Sequence, residues 1–93
     1  MNKKKLQIAR NKIDKLDKEI LYLIKKRTKI VKYMLSLKIL KKQIVDHKRI
    51  NKILKKIRNR SIKNRIDPKI TSRIWKSMIW AYVEFQRRNF KKK

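Results

Sequence analysis

Residues 5–40 read KLQIARNKIDKLDKEILYLIKKRTKIVKYMLSLKIL, and the apolar spacing within this stretch decides the fold. Leu6, Ala9, Ile13, Leu16, Ile20 and Leu23 alternate steps of three and four. After one seven-residue step, Ile30, Met34 and Leu37 continue the same row. That rhythm is the seam of a packed or coiled helix, and no Pro or Gly interrupts it. The spacing predicts one helix over about residues 5–40. A helix this long cannot fold back to cover its own seam. The nearest available cover is the same helix of a second copy of the chain.

Two shorter helices follow. Lys41 to Val45 read as a connection. Asp46 is a good N-cap type, and Ile50, Ile53, Leu54 and Ile57 continue at helical spacing, so a second helix is predicted over 46–63. The pattern fades from Ser61 to Arg65. Asp67-Pro68 then gives the clearest start signal in the chain, a capping acid followed by a proline suited to the first helical position. Ile70, Ile74, Trp75, Met78, Ile79, Tyr82, Val83 and Phe85 place the third helix over 67–90, with Lys91-Lys92-Lys93 as a frayed tail. The expectation is an all-α chain of three helices, one long and N-terminal and two shorter. They form a single domain spanning residues 1–93 that assembles as a homodimer.

Composition narrows the chemistry. With no Gly, the phosphate-cradling loops and dinucleotide fingerprints that need it are excluded. With no Cys there is no thiol nucleophile and no disulfide, and the single His47 cannot build a metal site alone. No metal and no cofactor are expected. No stretch approaches the length of a membrane span, and the basic start Asn2-Lys3-Lys4-Lys5 runs into Arg10, Lys12 and Asp14 before any apolar run develops. A cytoplasmic protein without membrane attachment is the expectation.

The formal net charge is +26, from 32 Lys and Arg against 6 Asp and Glu. Such a charge fits nucleic-acid binding. It also fits compositional bias, because Lys, Ile and Asn share A/T-rich codons and the basic residues are spread along the whole chain. The bias reading is preferred, with nucleic-acid binding weak and nonspecific at most. Either way, the field draws small anions toward the surface.

Against this pattern a few polar residues stand out. Arg27 falls in the seam between Leu23 and Ile30, where a lone buried guanidinium would be costly. It is either a snorkelling or ion-paired side chain or a ligand for an external anion. The shortage of acids leaves the anion reading open. Arg10 and Lys38 flank the seam near its two ends. Arg10 and Arg27 are seventeen residues apart, about 25 Å along a helix, so one small molecule cannot bridge both on one helix. In an antiparallel pair of helices centred near Ile24, Arg10 of one subunit would stand beside Lys38 of the other, giving two equivalent basic pockets. Asp46 reads first as a cap, Arg49 as a solvated charge, and Gln86 as an unusual inward amide following Ile79 and Tyr82. Tyr82 fits either the core or a pocket wall.

In order and spacing these residues resemble the all-helical (AroQ-type) chorismate mutases over about residues 5–88. Ala9-Arg10-Asn11-Lys12-Ile13-Asp14-Lys15-Leu16-Asp17 is similar to the family's opening "LR..ID.ID". Lys26-Arg27 matches its arginine after "LL..R", and Lys38 its lysine at the end of the long helix. Val45-Asp46-His47-Lys48-Arg49 resembles "V.D..RE", Ile66-Asp67-Pro68 resembles "LDP", and Gln86 matches the glutamine near the end of the last helix. The resemblance implies the chorismate mutase II fold, an intertwined homodimer with two shared sites, and rearrangement of chorismate to prephenate in Phe and Tyr biosynthesis. It implies that Arg27 and the partner copy's Arg10 hold the two substrate carboxylates. Lys38 and Gln86 would donate to the breaking ether oxygen, and Asp46 and Arg49 would line the pocket near the ring hydroxyl and a carboxylate. The family's usual Glu after the arginine is here Ile50. The related isochorismate-pyruvate lyases have an apolar residue at about this place and a sequence like that around Tyr82, which makes lyase activity the alternative. Asp46 favours the mutase. A basic helical nucleic-acid-binding protein ranks third.

Overall fold

The computed structural model describes residues 2–92. The chain runs through α1 (Lys3–Ser36), a short 3-10 turn (Lys41–Ile44), α2 (His47–Lys63) and α3 (Pro68–Asn89). Among the described residues there is no strand. The three expected helices are therefore present, and the fold is all-α. Lys91 and Lys92 follow α3 without regular structure, and Lys93 of the expected tail lies outside the described residues.

The ends of α1 depart slightly from the sequence expectation. Its start is two residues earlier because Asn2 caps it, with the Oδ1 atom accepting from Lys5 N at 3.0 Å. Its end is four residues earlier than the apolar row suggested. Leu37 N and Lys38 N bond the carbonyls of Met34 and Leu35, three residues back, which tightens the last turn. The next two amides leave the helix altogether. Ile39 N and Leu40 N both donate to Gln43 Oε1, at 2.8 and 2.7 Å. The expected connection at Lys41–Val45 is thus an ordered turn, and Ile44 within it is buried.

The chain divides into two compact units, Met1–Val31 and Lys32–Lys93. In the first, the seam of α1 is uncovered in the single chain. Ile13, Leu16, Ile20 and Leu23 are 52–60% exposed. The second unit has its own core, in which Leu35, Ile44 and Val83 cluster with Val45 and Phe90 packed against them. Here α2 packs on α3, with Ile50, Ile53, Leu54 and Ile57 half-buried and Ile79 buried. A polar bridge crosses the same interface. Ser61, 2% exposed, lies with its Oγ 2.7 Å from Thr71 Oγ1, and also donates to Ile57 O at 2.7 Å.

Both short helices start on the acids expected to cap them. Asp46 Oδ1 accepts from Arg49 N at 3.0 Å and Asp67 Oδ1 from Lys69 N at 2.9 Å. The end of α2 is less expected. Ile66 N bonds Ser61 O at 2.8 Å and Arg65 N bonds Ile62 O at 3.2 Å, a Schellman-type termination. The residue that makes the reversal is Arg65, with φ of 57°. A glycine usually takes this left-handed position, and this chain has none.

Candidate active site

The site residues divide between the two units. Lys38, Asp46, Arg49, Ile50, Tyr82 and Gln86 belong to the second unit, and Arg10 and Arg27 to α1 within the first. Arg10 is exposed and Arg27 half-buried.

Within the second unit the fold joins residues that are distant in sequence. The tightened end of α1 presents Lys38, and the inner side of α3 presents Gln86. Lys38 Nζ donates to Gln86 Oε1 at 2.6 Å, across 48 positions of sequence. Gln86 is buried at 8% exposure and Lys38 is half-buried. The other end of the amide, Nε2, donates to the Tyr82 main-chain oxygen at 3.2 Å. The amide orientation is fixed by chemistry, because an ammonium only donates and so must face the carbonyl oxygen.

The sequence expectation had Lys38 and Gln86 donating side by side to a third atom. The unliganded geometry has them bonded to each other, and this has two consequences. Contact with a cation polarises the Gln86 amide, which makes its Nε2 a stronger donor. The bond that Nε2 makes to Tyr82 O is at the long end of the normal range, so an incoming anionic oxygen would compete well for it.

Burial pushes the Lys38 ammonium below the ordinary lysine value of 10.5, and the Asp46 carboxylate works in the opposite direction. Asp46 therefore acts in two ways at once. Its Oδ1 caps α2, and its charge favours the protonated state of Lys38. Arg49, in the first turn of α2, is exposed, and Ile50 beside it is half-buried. Tyr82 is half-buried and meets the Phe85 ring edge-on, at a centroid distance of 6.4 Å.

Gln43 was not singled out in the sequence. Its two bonds to Ile39 N and Leu40 N order the chain immediately after Lys38. A glutamine in a short connection carries no periodic signal, so only the folded turn reveals it.

Among the described residues no helix is long and apolar enough to cross a membrane. The arrangement offers a half-buried, partly desolvated ammonium beside a buried, polarised amide. It can bind an oxygen that carries or develops negative charge. A family model described as chorismate mutase type II matches residues 9–87 of the chain. No curated protein matches, and no solved structure matches.

Proposed function

The chain belongs to the chorismate mutase type II family, and we propose that it rearranges chorismate to prephenate, with Lys38 and Gln86 stabilising the ether oxygen as its bond breaks. The observation that carries this reading is the 2.6 Å contact between Lys38 Nζ and Gln86 Oε1. The reaction has one substrate and needs no cofactor, nucleophile or obligatory proton transfer. An enzyme accelerates it by holding the folded conformer and by placing donors where negative charge grows. A preorganised donor of this kind typically contributes about 3–4 kcal/mol to the transition state. The partly desolvated Lys38 suits that role, because charge interactions strengthen away from bulk water.

The remaining substrate contacts require assembly. We assign the two carboxylates to Arg27 and to Arg10 of a second copy, and the ring side of the pocket to Asp46, Arg49, Ile50 and Tyr82. Support for a homodimer comes from the exposed seam at Ile13, Leu16, Ile20 and Leu23, since soluble monomers rarely leave a continuous apolar row open. Sedimentation of a stable folded monomer at micromolar concentration would remove Arg10 from the site.

The half-buried Ile50, where the family usually has Glu, favours a second reading, isochorismate-pyruvate lyase activity. An apolar side chain makes no hydrogen bond to a ring hydroxyl and so discriminates less against its displacement. Purified protein incubated with chorismate and, separately, with isochorismate decides between them. Loss of chorismate absorbance with formation of prephenate supports the mutase. Release of pyruvate from isochorismate without turnover of chorismate supports the lyase, and turnover of neither removes both.

A further inference from the structure

Helix α2 has two sides with different uses. The inner side packs its apolar residues on α3. The outer side presents Lys48, Lys52, Lys55, Lys56, Arg60 and Lys63, every one of them exposed. Over its 17 residues α2 carries eight Lys and Arg and no Asp or Glu. The nearest acids in sequence are Asp46 and Asp67, and each caps a helix N-terminus through its carboxylate. No salt bridge joins any α2 cation to an acid among the described residues.

The charge density is high in absolute terms. Seventeen residues span about 25 Å, so the six cations of the outer side give one positive charge per roughly 4 Å of the helix axis. Duplex DNA carries one negative charge per about 1.7 Å. The match is to a linear polyanion rather than to a single small anion. Codon bias accounts for the abundance of lysine, and packing of the apolar side on α3 aligns these lysines along the outer side.

We propose that the outer face of α2 is a sequence-independent binding surface for the phosphate backbone of duplex nucleic acid. Two features favour this partner. An interfacial membrane helix needs its apolar face free to enter lipid, and the apolar side of α2 is already packed against α3. A single-strand platform needs a series of aromatic side chains on which bases stack, and α2 contains no Phe, Tyr or Trp. A row of exposed cations on a rigid rod suits the regular backbone of a duplex, which it contacts without reading bases. The surface is separate from Lys38 and Gln86, so it stands or falls independently of the enzymatic reading.

The test uses the full chain, a fluorescent duplex of about 20 base pairs, and anisotropy measured across a salt series. One variant combines Lys52→Gln, Lys55→Gln, Lys56→Gln and Arg60→Gln. A control combines Lys15→Gln, Lys18→Gln, Lys25→Gln and Lys29→Gln, four exposed positions on α1. Each phosphate contact contributes about 0.9 to the slope of log K against log salt. The α2 variant should therefore have a slope shallower by about three to four, and the control by less than one. Equal changes in the two variants would overturn the proposal, because diffuse charge would then explain the binding. Wild-type binding to phosphatidylserine vesicles but not to duplex at physiological salt would also overturn it. Circular dichroism checks folding, and four Lys or Arg exchanges at the same α2 positions (Lys→Arg, Arg→Lys) should preserve the slope whether or not the Gln variant folds.

Discussion

Replacing Gln86 with Glu is the most informative perturbation of the proposed site. The substitution preserves shape and changes one end of the group from a donor to an acceptor. In the parent chain Oε1 receives the Lys38 proton at 2.6 Å. A carboxylate oxygen in that place would form an ion pair with Lys38. An opposite charge at such a distance raises an amine by about 1–3 pH units. Lys38 starts below 10.5 because burial outweighs Asp46, so the new carboxylate should move it upward. The alkaline fall in kcat, set by loss of the Lys38 proton, should then shift to higher pH by at least about one unit. The same pairing holds the introduced carboxyl group low, and that group must be protonated before it can donate. Activity should therefore be reduced at neutral pH, by about tenfold to a hundredfold, on the order of 1.4–2.7 kcal/mol. It should recover only in acid, below the ordinary glutamate value of about 4.3. The second oxygen would face the Tyr82 carbonyl that Nε2 now serves at 3.2 Å, a repulsion that offsets part of the ion pair. Stability should consequently change little. The assay is chorismate turnover against pH, with circular dichroism at each end of the range. Unchanged kcat at neutral pH, or an alkaline limb that does not move, would refute the reasoning.

Three further outcomes follow from particular contacts. Lys38→Ala should lower kcat by about a hundredfold or more while the chain stays folded, and a folded variant with unchanged turnover would remove the proposed mechanism. Asp46→Ala should cost about 1 kcal/mol of stability in denaturant titration through loss of the α2 cap. Burial would then act on Lys38 unopposed, so the alkaline limb of kcat should move to lower pH. The sign for stability follows from linkage. A lysine lowered in the folded state destabilises the fold while it is charged, and this cost is relieved as pH rises from its folded value toward 10.5. Arg65→Gly should stabilise the chain by about 0.5–1 kcal/mol, because the left-handed backbone costs an L-residue about 1–2 kcal/mol and the unfolded-state entropy of glycine offsets part of that gain. A midpoint that falls in urea would show that the Arg65 side chain contributes more than its backbone costs.

The sequence disclosed most of what depends on periodicity and capping. The seam from Leu6 to Leu37, the acid at Asp46 and the pair Asp67-Pro68 located all three helices, because each leaves a local signature in residue type and spacing. The end of α1 was not legible in the same way. Leu37 continues the apolar row, but the chain leaves the helix because Gln43 takes the next two amides. Nothing in the spacing announces a side chain that outcompetes a helical carbonyl. The inward position of Gln86 was readable from Ile79 and Tyr82, and its contact with Lys38 was not, because a pairing across 48 residues depends on how separate elements dock. Assigning the same two residues as donors came from the family resemblance. Their mutual hydrogen bond, which fixes the amide orientation, came from the folded chain.

The hydroxyl bridge between Ser61 and Thr71 bears on the order in which the molecule folds. Its two residues are ten positions apart, and closing a loop of that size takes only about 10–100 ns. Contacts between α2 and α3 thus cost little chain entropy compared with any that must wait for a second copy to diffuse in. The hairpin of these two helices should form as a unimolecular event whose rate is independent of protein concentration. In kinetic terms the short separation predicts that the bridge forms within the folding nucleus. Ser61→Ala, at a cost of about 1 kcal/mol, should then slow refolding more than it hastens unfolding.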